Sequence, residues 1–128
     1  MLEDEAVLVD DSFYVIGRMD AGTGGRKSAA ELTAGLDSGK YMIMLDHQPS
    51  DYEAEADSLV DLVLSGHTHG GQMLPIIKVG EWIGANDWTY GYKRIKDTDF
   101  IVTSGISDWA INFKTGTKSE YVVIYISE

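Results

Sequence analysis

The chain has 128 residues, 44% of them hydrophobic and 24% charged, so residues 1–128 can form one domain with its own core. Its 10 Lys and Arg residues against 21 Asp and Glu residues give a net charge of −11, which disfavours nucleic acid and anionic membranes as partners. The absence of cysteine excludes disulfides and thiolate metal sites, and leaves His, Asp, Glu and Asn as possible metal ligands.

The N-terminal third predicts a hairpin, a loop and a helix. Two β-rich runs, residues 6–9 and 13–16, flank the polar turn 10–12. The glycine-rich residues 22–25 predict a loop. Ser28 and Glu31 then match a capping box, which predicts a helix reaching about residue 36.

The middle of the chain predicts a strand, a helix and a second strand. Residues 41–45 are apolar without a break, which is typical of a central strand covered on both faces. Ser50 and Glu53 match a second capping box, predicting a helix to about residue 58, and residues 59–64 form the next apolar run. This succession predicts two parallel strands with a right-handed crossover, and their carboxyl ends therefore share one edge of the sheet.

The remaining sequence predicts short β-strands and loops. Strands are expected at residues 73–79, 90–95, 100–104 and 121–126, with a turn at 96–99 that joins the middle two. Loops are expected at 80–87 and 105–117. Trp82, Trp88 and Trp109 lie in or near these loops, and we expect them to pin the loops to the sheet edge rather than to stack on a substrate.

All three histidines of the chain follow the two predicted parallel strands. His47 ends the first apolar run, and His67 and His69 follow the second, in the motif Gly-His-Thr-His-Gly-Gly-Gln at residues 66–72. Because ligands bind beyond the carboxyl ends of parallel strands, we expect the three side chains to converge. The arrangement predicts a metal site with nitrogen and oxygen ligands, suited to Mn, Fe, Co, Ni or Zn.

The motifs around these histidines resemble those of the calcineurin-like metallophosphoesterases. His47 is similar to the isolated histidine of that family, and residues 66–72 resemble its Gly-His-x-His motif in an extended form found in a bacterial branch. The family motifs that precede the isolated histidine are absent, since residues 1–40 contain no histidine. The chain therefore resembles the C-terminal half of such an enzyme, and the implied fold is α/β: half of an α/β/β/α sandwich, with a mixed sheet and two short helices.

The resemblance also implies a dinuclear site and a hydrolase. His47 and His67 would bind one divalent metal ion and His69 the other, with Mn, Fe, Zn or a similar metal and a bridging hydroxide that attacks phosphorus. The implied substrates are phosphate esters, expected to be phosphodiesters. Since half of the ligand motifs are missing, we expect this chain alone to be inactive and its metal site to be partial or empty. The alternative is a non-catalytic metal-binding or interaction module with the same fold.

The resemblance and the composition also lead to expectations about partners and location. A sheet that loses the other half of its sandwich should expose an apolar face, so we expect this face to bind the missing N-terminal half or a second copy of the chain. No apolar run approaches the roughly 18 residues of a membrane-spanning helix, and the N-terminus is acidic, so we expect a soluble chain whose parent is cytoplasmic or anchored to a membrane upstream.

One further motif carries an ambiguous signal. Residues 22–28 end in Lys-Ser and resemble a phosphate-binding loop, but Arg26 stands where that motif requires glycine, so an exposed loop is expected. Arg18 and Asp20 precede this loop. Their positions fit equally well a phosphate-facing rim and a surface ion pair.

Overall fold

The structure is a computed structural model that describes residues 1–71, 78–107 and 115–127. Six strands of the described residues form one mixed sheet, flanked by three short α-helices. This confirms the predicted α/β class. The elements are β1 (Glu5–Val9), β2 (Phe13–Gly17), α1 (Ala29–Thr33), β3 (Tyr41–Leu45), α2 (Tyr52–Ala56), β4 (Leu62–Ser65), α3 (Val79–Trp82), β5 (Gly91–Ile95) and β6 (Thr98–Val102).

The strand order places a parallel group at the centre of the sheet. The order is β1-β2-β3-β4-β6-β5, in which β2, β3, β4 and β6 are parallel and the two outer strands are antiparallel to their neighbours. The predicted N-terminal hairpin, the β3-α2-β4 crossover and the β5-β6 hairpin are therefore confirmed. The carboxyl ends of β2, β3 and β4 lie side by side at one edge.

The core lies on one face of the sheet. Met42, Met44 and Val63 are fully buried there, and the ring of Tyr52 in α2 packs 4.1 Å from the ring of Phe100. Burial of this kind supplies most of the stabilisation of a small domain.

The opposite face of the sheet is partly uncovered, so the prediction that β3 is covered on both faces is wrong. The side chains of β3 alternate, with Tyr41 and Ile43 half-buried and Leu45 42% exposed on this second face. An apolar run without polar residues cannot show which of its two faces a neighbouring element covers.

The two helices of the crossover region are shorter than predicted. The capping box of α1 is present, but the helix ends at Thr33 because Ala34 leaves the helical region and Gly35 has a φ of 80°. The second predicted capping box is wrong: Asp51 is the N-cap of α2, with a φ of 69° and no side-chain cap bond. The Tyr52 N–H of α2 instead donates to the Asp87 carboxylate at 2.8 Å.

The strands after the crossover also differ in part from the prediction. Strand β4 begins at Leu62 rather than residue 59, and most of the predicted strand 73–79 lies outside the described residues, although α3 begins at Val79. The predicted strand 121–126 is wrong, because these residues have no regular structure and remain between 37% and 91% exposed. None of the six described strands pairs with these residues, and a strand requires a partner.

The tryptophans do not share one role. Trp88 is half-buried and packs against the core, as predicted for a ring that pins a loop. Trp82 lies at the end of α3 and is 74% exposed, so the prediction that it pins a loop is wrong. The prediction for Trp109 falls outside the described residues.

Candidate metal centre

His47 and His67 lie side by side because the strands that precede them are adjacent and parallel. Strands β3 and β4 pair up to Leu45 and Leu64, and the Gly66 N–H donates to the His47 carbonyl at 3.2 Å just beyond the strands. The two imidazole rings meet edge to face, with centroids 5.1 Å apart and planes at 86°. The predicted convergence of these two side chains is confirmed.

The loop that carries His67 and His69 has an unusual backbone. His67 and His69 have φ values of 56° and 49°, in the left-handed region that non-glycine residues rarely adopt. Thr68 holds the loop between them, since its hydroxyl donates to the Thr89 carbonyl at 2.6 Å and its own carbonyl accepts from Gly71 N–H at 2.8 Å. Strained backbone of this kind is retained where surrounding contacts enforce it, typically at functional sites.

His69 points to a different part of the loop region. Its Nδ1 lies 3.2 Å from the Ser107 carbonyl oxygen, and its own carbonyl accepts from the Thr117 hydroxyl at 2.9 Å. Gly70 follows with a φ of 62°, and a Cβ there would lie 2.5 Å from Thr117 Cγ2. The glycine after the histidine pair is thus required by backbone conformation and by close packing.

Burial and neighbouring charges affect the protonation of the His67 ring. Partial burial and then the neighbouring His47 lower the pKa of His67, which favours the neutral imidazole that binds metals. Asp20, which follows β2, lies close enough for its charge to act on both rings. Hydrogen bonds from Gln48 and from the Gly22 N–H lower the pKa of Asp20, so its carboxylate is ionised beside the histidines.

Arg18 and Asp20 do not form an ion pair with each other. The Arg18 side chain is only 5% exposed and contacts three carboxylates, Asp46 at 3.0 Å, Asp51 at 3.1 Å and Glu55 at 3.2 Å. The expectation of a surface ion pair between Arg18 and Asp20 is therefore wrong. The sequence carried a signal for the real contacts, since Arg18 follows one parallel strand and Asp46 follows the next.

The distance between the two ring centroids is compatible with a shared metal ion. Imidazole nitrogens bind zinc at about 2.0–2.1 Å, which puts the centroids of two tetrahedrally placed rings about 5 Å apart, as they are here. A Cβ at Gly66 would lie 3.7 Å from His47 Nδ1, so glycine leaves this side of the ring open. Within residues 1–71, 78–107 and 115–127, no group of three or more His, Asp or Glu side chains could hold a metal ion.

The fold and the histidine pair define a class of protein: an α/β domain whose candidate metal ligands lie beyond the ends of parallel strands. Known relatives give the family. An uncharacterized metallophosphoesterase of Helicobacter pylori strain J99 is 38% identical over 89 residues, which are 66% of this chain and 23% of that protein. A relative in Aquifex aeolicus with the same description is 42% identical over 77 residues, 56% of this chain and 29% of that protein. The chain belongs to the metallophosphoesterases.

Relatives of the chain are not restricted to bacteria. A Bos taurus protein described as a transmembrane protein with metallophosphoesterase domain is 32% identical over 81 residues, 61% of this chain and 18% of that protein. The chain spans between 18% and 31% of the length of the curated relatives it matches. No family model and no solved structure matches it. Within its described residues, no helix is long and apolar enough to span a bilayer.

Proposed function

We propose that the protein serves in the metal-dependent hydrolysis of phosphate esters, with phosphodiesters as the expected substrates. The observation that carries the proposal is the edge-to-face contact of His47 and His67 at the carboxyl ends of two adjacent parallel strands. The names of the relatives support the reaction class, because they are described as metallophosphoesterases.

The proposed metal ligands are the three histidines. His47 and His67 would hold one divalent cation, and His69, whose ring lies apart from theirs, would hold a second; Mn, Fe, Zn or a similar metal suits imidazole nitrogen. When bound, such metals polarise a phosphoryl oxygen and lower the pKa of coordinated water. The remaining ligands would come from parts of the parent protein outside the described residues.

The residues around the histidines prepare the site for a cation and an ester. The ionised carboxylate of Asp20 adds negative charge next to the two rings, which favours a divalent cation there. An open groove of about 460 Å³ runs beside His47, with Leu45, Leu64 and Gly66 among its lining residues. The groove leaves the His47 side of the site open in this chain.

The uncovered sheet face is the proposed contact for the N-terminal half of the parent protein. Leu45 and Tyr92 are 42% and 61% exposed on this face, and large apolar patches mark interaction sites. The same face favours the second candidate function, an interaction module without catalytic activity, and a homodimer of the chain would cover it as well. Anchoring of the parent in a membrane is proposed by analogy with the bovine relative's description.

Metal binding and hydrolysis test the proposal together. The purified chain is titrated with Mn²⁺ and Zn²⁺, and its hydrolysis of bis(p-nitrophenyl) phosphate is measured with and without the complementary N-terminal half. We expect metal binding that is weakened by His67→Ala, with hydrolysis only when both halves are present. Binding that is unaffected by both His47→Ala and His67→Ala would refute the metal centre. Metal binding without hydrolysis in the reconstituted protein would favour the non-catalytic module.

A further inference from the structure

The segment that carries His47 is held on its N-terminal side by a buried carboxylate. The Asp46 side chain is 0% exposed and immediately precedes His47. The Arg18 Nη1 donates to its Oδ2 at 3.0 Å, and the Arg26 Nη1 lies 3.1 Å from both of its oxygens. A buried charge is stable only when it is compensated in this way, so the two arginines fix the backbone directly before His47.

The same segment is held on its C-terminal side by a second contact. The Gln48 Nε2 donates to Asp20 Oδ2 at 2.6 Å, and the Gln48 Oε1 accepts from the Ala21 N–H at 3.2 Å. Asp20 is itself held by the Gly22 N–H, which donates to its Oδ1 at 2.7 Å. Both sequence neighbours of His47 therefore contact residues 18–27, which also contain the glycine-rich loop.

Residues 18–27 are themselves anchored to the sheet and closed at their base. The Arg18 N–H donates to the Leu45 carbonyl at 3.0 Å, which continues the β2-β3 ladder. The Arg18 Nε donates to the Lys27 carbonyl at 3.1 Å, which joins the two ends of the segment. Asp51 accepts from both guanidinium groups, from Arg18 at 3.1 Å and from Arg26 at 2.9 Å, and ties them to the start of α2.

We propose that residues 18–27 form a clamp: they hydrogen-bond to the residues on both sides of His47 and thereby hold His47 in position. Arg18 and Arg26 bind Asp46 on one side of His47. Asp20 and Ala21 bind Gln48 on the other side. The inference rests on the proposed function, because it takes His47 as a metal ligand. None of the clamp side chains needs to touch the metal or the substrate. They are positioning residues, and they give the loop a role other than phosphate binding.

The clamp should matter for metal affinity more than for folding. The His47 ring is exposed at the end of its strand, so the core does not hold it in place. Residues that orient a metal ligand without binding the metal themselves typically raise metal affinity by about 10- to 100-fold. Loss of the contacts to Asp46 or to Gln48 should leave the sheet intact and let the His47 ring move away from the His67 ring.

The test uses the whole 128-residue chain and one change on each side of His47. Arg26→Gln removes three hydrogen bonds to Asp46 and Asp51, and Gln48→Ala removes the contact with Asp20 without changing the charge. Arg94→Gln is the matched control, since Arg94 forms a comparable 3.0 Å ion pair with Asp99 on the exposed side of β5. Zn²⁺ affinity is measured from the histidine ring signals by NMR, and thermal unfolding monitors the fold.

We expect the Zn²⁺ dissociation constant to rise about tenfold in Arg26→Gln and in Gln48→Ala, and to change less than about twofold in Arg94→Gln. In the metal-free chain, the nuclear Overhauser contact between the His47 and His67 rings should weaken in the two clamp variants alone. If Gln48→Ala, which disturbs no buried charge, keeps both the ring contact and the wild-type affinity, the clamp is refuted.

Failure of the clamp and failure of the metal centre give different results. A Zn²⁺ affinity that is unchanged by both His47→Ala and His67→Ala would refute the metal centre, and the ring contact in the metal-free chain would still decide whether the clamp exists. A loss of affinity in those two histidine variants, together with wild-type behaviour of both clamp variants, would refute the clamp alone.

Discussion

Replacing Glu55 by glutamine should change how the stability of the chain depends on pH. The Glu55 side chain is 0% exposed, and its Oε1 accepts from Arg18 Nη1 at 3.2 Å, whereas its Oε2 is buried without a partner. Burial and then the charge of Asp46 raise the pKa of Glu55 to about 9. At neutral pH the carboxyl is therefore protonated.

The sign and size of the effect follow from proton binding. Between the usual pKa of 4.5 and the folded value of about 9, the folded chain keeps a proton on Glu55 that the unfolded chain has released. The stabilising contribution is therefore complete below pH 4.5 and is lost as the pH rises towards 9, with a slope of up to about 1.4 kcal/mol per pH unit. Glutamine stays neutral at every pH, so Glu55→Gln should remove this slope.

Urea unfolding followed by tryptophan fluorescence at pH 6, 7 and 8 measures the difference. Between pH 6 and pH 8, wild type should lose up to about 2–3 kcal/mol of unfolding free energy relative to Glu55→Gln. Glu5→Gln at the exposed start of β1 is the control with the same change of charge, and it should keep the wild-type slope because its carboxylate stays in water. Parallel pH profiles for wild type and Glu55→Gln would refute the reasoning.

Two further predictions concern the histidine loop and the uncovered face. Gly70→Ala should lower the unfolding free energy by about 1–3 kcal/mol more than Gly84→Ala, because both residues have a positive φ but only the Gly70 site would clash, with Thr117. Equal losses in urea unfolding would contradict this. Leu45→Ser should weaken self-association in sedimentation experiments, and Leu59→Ser, at a comparably exposed leucine in the turn before β4, should not. A wild-type chain that stays monomeric at high concentration would refute this prediction.

Local sequence patterns predicted much of the fold because the forces behind them are local. The capping box of α1 depends on Ser28 and Glu31, three residues apart, and it is present. The hairpin and the crossover follow from apolar runs separated by turn or helix signals, and both are found. The contact of His47 with His67 could be predicted because parallel neighbours end at one edge.

Local sequence patterns gave wrong predictions where contacts with residues distant in sequence determine the structure. Ser50 and Glu53 have capping-box spacing, but the N-cap position of α2 is Asp51, whose carboxylate accepts from Arg18 and Arg26 and makes no capping bond to the helix. The β-prone residues 121–126 do not form a strand, since strand formation needs hydrogen bonds from a neighbour and none of the described strands pairs with them.

The sequence by itself determined most of the element types, the parallel crossover and the two histidines that meet beyond it, because hydrophobic period and chain handedness act over short distances. Only the tertiary structure decided which face of the sheet is covered, that His69 turns towards Ser107, and that Arg18 enters a buried network with Asp46. These outcomes depend on side chains far apart in sequence, whose desolvation and pairing energies exist only once the strands have assembled.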